Sequence, residues 1–194
     1  MDPIIRERIS DSIKIKQQIL ENDSLLNTIE ESAELIVKCL REGGKLVLCG
    51  NGGSASDVLH FAGEIVGRFQ KEREPWPAIV LNSDVATLTA IANDYGYDET
   101  FARQAKAYLT DKDVLIGVST SGNSENVYKA MVVAHERNAT SIAFLGKDGG
   151  KINQEATCSI VIPCETTARI QECHIMLIHV ICEIVENKLS NGKW

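Results

Sequence analysis

Residues 45–64 read KLVLCGNGGSASDVLHFAGE, which predicts a buried strand, a glycine-rich turn and a helix in succession. The run 45–49 is short and apolar with glycines on both sides, which is typical of a strand buried on both faces. The glycine-rich turn 50–53 lets the backbone bend sharply and approach a ligand without Cβ obstruction. Ser54 is predicted to cap the helix that begins there. Free backbone N–H groups and the helix dipole at such a turn favour an anion.

An ionisable pair lies on the same predicted helix. His60 and Glu64 are four residues apart, so both project from one face, about one turn beyond the glycine loop. Taken singly, each feature has a structural explanation, because the turn could serve tight packing and the pair could be a surface ion pair. The loop fits neither the dinucleotide fingerprint nor the nucleotide P-loop, and nucleotide binding is therefore disfavoured.

A second anion loop follows the strand predicted over 113–118. It reads Ser119-Thr120-Ser121-Gly122-Asn123-Ser124 and leads into a helix predicted over 125–137. Four hydroxyls and a helix N-terminus around one glycine suit a phosphate monoester. The alternative is a serine-rich turn that only caps its helix, but six successive polar residues exceed what one cap requires. The sequence therefore favours binding.

Strands and helices alternate along the middle of the chain. Further strands are predicted over 78–81, 141–145 and 158–162, and further helices over 84–94 and 99–109, the latter capped by Asp98. This alternation predicts an α/β fold with a parallel, right-handed, doubly wound sheet, whose ligand lies outside the carboxyl ends of the strands. Both anion loops fall at that edge.

Two helices are predicted before this unit and one after it. The first, from Pro3 to about Asn22, has one narrow apolar stripe that packs either on another subunit or on its own domain. The second ends at Gly43-Gly44. The last helix, about 166–189, is largely apolar and is predicted to be buried. It also carries several polar side chains, and helical spacing does not choose among them. They are Arg169, Gln171, Glu172, His174 and His179.

Bulk properties limit the class of protein. A chain of 194 residues without a linker predicts one domain. The net charge of −7 and the pI near 5.2 argue against nucleic-acid binding and favour a small-molecule ligand. The six cysteines form no CxxC pair and are predicted to be reduced core residues. Neither a signal peptide nor a membrane span is recognisable, so the predicted location is cytoplasmic.

Five short motifs occur in order along the chain. They are Cys49-Gly50-Asn51-Gly52-Gly53-Ser54, His60-Phe61-Ala62-Gly63-Glu64, Ala92-Asn93-Asp94, Ser119-Thr120-Ser121-Gly122-Asn123-Ser124 and Arg169-Ile170-Gln171-Glu172. In this combination, and essentially from end to end, the chain resembles the sugar isomerase (SIS) domain family.

The resemblance implies a fold and an assembly. The fold is a single SIS domain over 1–194, a three-layer, doubly wound, five-stranded parallel sheet of flavodoxin-like order. Helices in 1–43 would serve oligomer packing, and 44–194 would form the α/β core with a long C-terminal helix. The implied assembly is a homotetramer with active sites at subunit interfaces. A sugar phosphate is the implied partner, with no nucleic acid and no membrane.

The resemblance also implies a reaction. It is the conversion of sedoheptulose 7-phosphate to D-glycero-D-manno-heptose 7-phosphate through an enediol(ate), the first step of ADP- or GDP-heptose biosynthesis for surface polysaccharide such as lipopolysaccharide or capsule. Glu64 would be the base and His179 the acid. A larger set would hold the sugar phosphate, namely Asn51, Gly52, Gly53, Ser54, Glu64, Asn93, Asp94, Ser119, Thr120, Ser121, Ser124 and Gln171.

One zinc ion per subunit is implied as well, with His60, Glu64, Gln171 and His179 as ligands. A base on one carbon and an acid at the carbonyl are sufficient for aldose–ketose interconversion. Zinc could polarise the oxygens, but a glutamate bound to zinc is a poorer base. Whether the metal is catalytic, structural or regulatory stays open at this point.

Two other functions compete with the isomerase. A relative in the same family associates with the replication initiator as a non-catalytic scaffold, and the stretch 81–94 resembles it. That scaffold lacks the acidic residue matching Glu64 and the histidine matching His179, and this chain has both. Sugar-phosphate-binding regulators of the family usually carry an attached DNA-binding domain, for which this chain has no room.

Overall fold

The computed structural model describes residues 2–190, which form a parallel sheet with helices on both faces. The strands are β1 Leu46–Gly50, β2 Ala78–Val80, β3 Val114–Ser119, β4 Thr140–Gly146 and β5 Cys158–Ile162. The helices are α1 Pro3–Leu20, α2 Asp23–Arg41, α3 Gly53–Val66, α4 Val85–Tyr95, α5 Thr100–Tyr108, α6 Glu125–Glu136, α7 Ile152–Glu155 and α8 Thr167–Ser190. A short 3₁₀ helix, Tyr97–Glu99, precedes α5.

The sheet has the order β2-β1-β3-β4-β5, with every neighbouring pair parallel. The inner strand β1 pairs Leu46 with Ala78 of β2 on one side and with Val114 of β3 on the other. The direction of the crossovers reverses between β1 and β3, which is where doubly wound sheets bind their ligands. The two anion loops follow these two strands. The predicted five-stranded, flavodoxin-like sheet is therefore confirmed.

The core consists of two apolar layers, one on each face of the sheet. Helices α1, α2, α3 and α8 cover one face, and α5, α6 and α7 cover the other. Along β1, Leu46 and Leu48 belong to the first layer, while Val47 and Cys49 belong to the second. This alternation follows from the two-residue period of a strand, and it explains why a strand buried on both faces is apolar at every position.

Two predicted helix caps are wrong. Gly52, at φ +57°, occupies the N-cap position of α3, and Ser54 is buried in the first turn without a capping hydrogen bond from its side chain. A glycine adopts this left-handed conformation without strain, so the helix begins directly at the turn. Asp98 lies inside the 3₁₀ helix, and Glu99 precedes α5 without a side-chain cap. The short helix α7 was not predicted.

The cysteines and the long helices match the composition-based expectations. All six cysteines are free, and all but Cys164 are buried. Burial raises the pKa of the Cys49 thiol to about 12, which keeps it protonated and unreactive. Between residues 2 and 190, none of the helices combines the length and the apolar character that crossing a bilayer requires.

Candidate active site

Three side chains with metal-binding atoms meet between α3 and α8. His60 and Glu64 lie on consecutive turns of α3, with His60 Nε2 3.0 Å from Glu64 Oε1. His179 of α8 faces them, with its Nε2 3.0 Å from His60 Nε2. One ligand atom from each of the three residues lies within 4.8 Å of the others. We call these three residues the His/Glu/His cluster.

The chemistry of this donor set suits a cation. His60 Nε2 can carry one hydrogen, yet both the Glu64 carboxylate and the second imidazole nitrogen stand 3.0 Å from it. A single N–H cannot be directed well at two acceptors on different sides, whereas a metal ion accepts electron pairs from all three groups. Two imidazoles and a carboxylate are common zinc ligands in sites that keep a position open. The side chains of His60 and Glu64 are 44% and 25% exposed, so the cluster is accessible from solvent.

The segment after α3 contacts both His179 and the carboxyl end of α3. The Phe69 ring stacks on the imidazole of His179, with a centroid distance of 5.8 Å and an interplanar angle of 26°. Arg73 donates from Nη2 to the backbone carbonyl of Glu64 at 2.7 Å and from Nη1 to that of Ile65 at 3.0 Å. Arg73 therefore binds the carboxyl end of α3, whose last carbonyls have no partner within the helix.

Arg73 is held in turn by Glu186 of α8, two turns beyond His179. Glu186 Oε1 accepts from Arg73 Nε at 3.2 Å, and the two carboxylate oxygens accept from the backbone N–H groups of residues 69–71 at 2.8 to 3.1 Å. Burial alone would raise the pKa of Glu186, but these hydrogen bonds outweigh it and hold the pKa below its ordinary value. The pair fastens the segment after α3 to α8.

The glycine loop after β1 is bound to other parts of the chain by side chains. The amides of Asn51 and Asn126 exchange two hydrogen bonds, of 2.8 and 3.0 Å, and the Tyr97 hydroxyl donates to Asn51 Oδ1 at 2.8 Å. A Cβ added at Gly53 would stand 2.5 Å from Nε2 of Gln171, so glycine lets this amide of α8 approach the loop. Gly52 and Gly53 are themselves exposed and leave their backbone open to a ligand.

The serine-rich loop after β3 is also compact. Ser119 Oγ lies 2.9 Å from Ser124 Oγ and 3.4 Å from Ser121 Oγ, so three of its hydroxyls form one group. At Gly122, with φ +66°, an added Cβ would stand 2.0 Å from the backbone oxygen of Gly149. A side chain there would collide with rigid backbone, and glycine is therefore required where the loops after β3 and β4 cross.

Asn93 and Asp94 lie at the carboxyl end of α4. Both are exposed, and the Asn93 amide donates to Asp94 Oδ1 at 2.8 Å. The segment that follows carries Tyr97, whose hydroxyl contacts Asn51. The three predicted binding segments thus adjoin one another at the carboxyl edge of the sheet, and we call this region the loop end.

The His/Glu/His cluster lies further along α3 than the loop end. At 1.5 Å per residue, His60 and Glu64 stand about 10 and 16 Å along the axis of α3 from Gly53. The expectation that the pair follows the loop by one turn was wrong, because seven and eleven residues are two and three turns. On α8, Gln171 precedes His179 by about 12 Å. The Gln171 amide itself approaches Gly53 of the glycine loop.

Sequence reasoning missed five residues of these two regions. Tyr97 and Asn126 hold the glycine loop, and Phe69, Arg73 and Glu186 hold the cluster. Each acts on a segment remote in sequence, and such contacts leave no local pattern. The one available signal was position, because Asn126 lies two residues after the serine-rich loop and Tyr97 three after Asp94.

The fold agrees with comparisons to known proteins. The model of the SIS domain matches residues 9–146, and the chain belongs to the SIS domain family. Similar proteins within this family include phosphoheptose isomerases. That of Sulfurimonas denitrificans is 44% identical over 189 residues, 97% of each chain. That of Thermodesulfovibrio yellowstonii is 51% identical over 186 residues, 95% of this chain and 91% of the relative.

A solved structure agrees as well. The phosphoheptose isomerase of Neisseria gonorrhoeae superposes with a TM-score of 0.89 at 42% sequence identity, covering 94% of this chain and 97% of that one. The family resemblance predicted from the five sequence motifs is therefore confirmed.

Proposed function

We propose that this protein is an aldose–ketose isomerase that converts sedoheptulose 7-phosphate to D-glycero-D-manno-heptose 7-phosphate, the first step toward an activated heptose. Its near full-length similarity to phosphoheptose isomerases supports the substrate. The observation that carries the proposal is the His/Glu/His cluster, where the Glu64 carboxylate and the His179 imidazole lie within 4.8 Å of each other. A base and an acid at this separation can act on adjacent atoms of one substrate.

The proposed mechanism moves two protons. Glu64 removes the proton from the carbon next to the carbonyl, and His179 donates a proton to the carbonyl oxygen, which gives an enediol. In the second half, a proton returns to the former carbonyl carbon while the hydroxyl proton of the neighbouring carbon is removed, and the carbonyl has moved by one position. The stacking of Phe69 on His179 fixes the ring plane that this proton transfer requires.

The loop end would hold the phosphate and the sugar hydroxyls. Open backbone N–H groups at Gly52 and Gly53 and the hydroxyls of the serine-rich loop suit the phosphate. The second group of proposed contacts is polar and surrounds these loops. It comprises Asn51, Ser54, Asn93, Asp94, Ser119, Thr120, Ser121, Ser124 and Gln171.

Zinc is the proposed metal, held by His60, Glu64 and His179. When bound, it would supply Lewis-acid polarisation of the substrate's oxygens. Because a metal lowers the proton affinity of a carboxylate, Glu64 would act as the base only when it is not a full ligand. Gln171 stays a predicted fourth ligand. It precedes His179 by about 12 Å along the axis of α8.

The resemblance to the SIS family is the basis on which we propose an active site shared between subunits. The cluster of one copy would meet the loop end of another, which brings the acid and the base to the bound sugar phosphate. We propose a homotetramer for this reason. Apolar surface for packing is present on α1, where five large side chains are at least half exposed, namely Ile4, Ile5, Ile9, Ile13 and Leu20. Such a stripe is typical of a helix that packs on a partner.

A groove of about 610 Å³ between α1, α2 and α8 extends this surface. Its walls include Leu20, Leu26, Met176 and Val180, and three charged residues, Lys16, Glu30 and Lys188, also line it. We propose that the helices in 1–43 serve oligomer packing, that the core in 44–194 carries the chemistry, and that the protein acts in the cytoplasm. The relatives described above are named as isomerases, which favours an enzyme over the replication-initiator scaffold.

The test is turnover of sedoheptulose 7-phosphate by the purified protein, followed as formation of the aldose. Wild type is expected to turn over, and Glu64→Gln is expected to lose about 10²- to 10⁴-fold in kcat, because general base catalysis is removed. Glu183→Gln is the matched control, since Glu183 is an exposed glutamate of α8. No turnover by wild type, or an undiminished rate in Glu64→Gln, would overturn the assignment.

Subunit complementation tests the shared site. Ser124→Asp keeps a good N-cap for α6 but places a negative charge where phosphate would bind, so it should be inactive alone. If each site combines two subunits, dissociating and reassembling it with Glu64→Gln in equal amounts should restore about a quarter of wild-type activity, because that fraction of sites pairs an intact loop with an intact base. If each subunit holds a complete site, the mixture stays inactive.

A further inference from the structure

A buried asparagine joins the two anion loops. Asn126 lies in the first turn of α6, directly after the serine-rich loop, and is 2% exposed. Its Oδ1 accepts from Asn51 Nδ2 at 2.8 Å, and its Nδ2 donates to Asn51 Oδ1 at 3.0 Å. The pair connects segments 75 residues apart. Two reciprocal hydrogen bonds between planar amides fix distance and orientation together.

Asn126 is itself held rigidly. Its Oδ1 also accepts from the backbone N–H of Val127 at 3.0 Å, and its Nδ2 lies 3.5 Å from Thr100 Oγ1 at the start of α5. Every polar atom of this side chain therefore has a partner, which a buried amide requires. Because α6 and α5 both fix the orientation of this amide, it can fix the position of the glycine loop that carries Asn51.

The Asn51 side chain is largely consumed by these contacts. Its Oδ1 accepts from both Asn126 Nδ2 and the Tyr97 hydroxyl, and one of its two amide hydrogens goes to Asn126. One N–H and the backbone remain for a ligand. This side chain is thus mainly a clamp between the loop after β1, the loop after β3 and the segment after α4.

We propose that Asn126 is a positioning residue for sugar-phosphate binding, which acts through Asn51 to hold the glycine loop against the serine-rich loop. The inference rests on the proposed function, because it assigns both loops to one substrate. A small misplacement of groups that bind the same ligand costs affinity steeply. Removing the clamp should therefore impair binding of the sugar phosphate far more than the proton transfers, which occur at Glu64 and His179.

The experiment is a double-mutant cycle with Asn51→Ala, Asn126→Ala and the double variant. Each single variant is expected to raise KM for sedoheptulose 7-phosphate about tenfold while kcat changes less than about threefold. The double variant should be no worse than the worse single variant, because Asn126 has nothing to hold once the Asn51 amide is gone. Losses in kcat/KM that multiply would overturn the proposal, since the two residues would then act independently.

Further variants keep the test decisive if Asn126→Ala folds poorly. Asn126→Asp preserves shape but turns a carboxylate oxygen toward Asn51 Oδ1, and it should raise KM at least as much. Tyr97→Phe removes one bond of the clamp and should raise KM by about threefold. Asn187→Ala, at an exposed position of α8, should match wild type. Unchanged KM in well-folded Asn126→Asp would contradict the role.

Ligand binding separates this inference from the proposed function. The rise in thermal unfolding midpoint with added sedoheptulose 7-phosphate is measured for each variant without any turnover. A wild type that is stabilised but does not turn over would overturn the isomerase assignment, and the double-mutant cycle would then be read from the stabilisation of each variant. Turnover by wild type with equal stabilisation of all variants would overturn the role of Asn126 alone.

Discussion

Two charged groups lie on the same part of the molecule and differ in almost every physical property. The His/Glu/His cluster is open, with the His60 and Glu64 side chains 44% and 25% exposed. The pair formed by Arg73 and Glu186 lies nearby, with side chains 6% and 2% exposed. In the His/Glu/His cluster, the Glu64 carboxylate and the two imidazole nitrogens lie close together, and the imidazole hydrogens are too few to satisfy both contacts of His60 Nε2. In the second, the carboxylate accepts four hydrogen bonds.

This difference indicates that the exposed cluster serves catalysis or metal binding and that the buried pair serves stability. A buried charge is tolerated only when it is paired and hydrogen-bonded, and a fully satisfied group has nothing left to offer a substrate. The open cluster retains lone pairs and access, which catalysis and metal binding require. The two groups are connected by two contacts. Arg73 donates to the backbone carbonyl of Glu64. Phe69 donates its backbone N–H to Glu186, and its ring stacks on His179. The buried pair therefore holds the geometry that the open cluster uses.

The largest effect is expected from His179→Asn. Loss of the proton donor should lower kcat by about 10²- to 10⁴-fold with little change in stability, because the removed group is not buried support. Steady-state kinetics and urea unfolding measure both quantities. His135→Asn is the control, since this histidine is 79% exposed at its side chain and its Nδ1 lies 3.2 Å from Glu155 Oε1, away from the cluster. If His179→Asn lost enough stability to account for its lost activity, the cluster would not differ from the buried pair in the way inferred here.

Glu186→Gln should mainly lower stability, in contrast to His179→Asn, which should mainly lower kcat. The substitution leaves the Arg73 guanidinium buried without its counter-charge, and it should lower the free energy of unfolding by about 3–5 kcal/mol. Urea denaturation measures this, with Glu183→Gln on the exposed side of α8 expected to stay within about 0.5 kcal/mol of wild type. A stable Glu186→Gln protein would show that the buried pair is not the support inferred here.

His174, a second histidine of α8, is buried, unlike His179, and it should make the stability of the protein depend on pH. His174 is fully buried, donates from Nε2 to the carbonyl of Leu145 at 2.9 Å, and has no partner at Nδ1 among the described residues. Burial lowers its pKa to about 4, and the hydrogen bond to Leu145 opposes this only partly. The imidazole therefore stays neutral in the folded protein when the unfolded chain is already protonated.

The sign follows from this difference. Because the unfolded histidine binds its proton near pH 6.5 and the folded one near pH 4, stability is lost as the pH falls between these values, by about 3 kcal/mol at most. His174→Gln keeps a donor for Leu145 but does not titrate. Between pH 7 and pH 4 it should lose about 3 kcal/mol less than wild type in urea unfolding. Parallel losses in the two proteins would contradict the prediction.

The smallest expected effect is stabilisation by zinc. At a free concentration one hundred times its dissociation constant, zinc should raise the free energy of unfolding by about 2.7 kcal/mol, because it binds the folded cluster. Thermal unfolding with added zinc and then with chelator measures the shift. His60→Gln should abolish it, whereas His135→Gln should not. Equal shifts in both variants would place the metal elsewhere.

Most of the fold could be predicted because it depends on local patterns. The apolar run before Gly50 and the run before Ser119 predicted β1 and β3, and their two loops were placed correctly at the carboxyl edge. The caps at Ser54 and Asp98 failed for a different reason. Whether a helix begins at a residue or one position away depends on backbone conformation, such as the positive φ at Gly52, and several starts were compatible with the same letters.

The sequence by itself determined the alternating α/β architecture, the two anion loops and the family, because hydrophobic period, glycine placement and motif order are all written along the chain. Only the tertiary structure decided which of the polar residues on α8 meet which on α3. It put His179 against His60 and Gln171 against Gly53, and it placed Asn126 across from Asn51. These pairings depend on how two helices pack and on the rise of 1.5 Å per residue, which separates groups that look close in sequence.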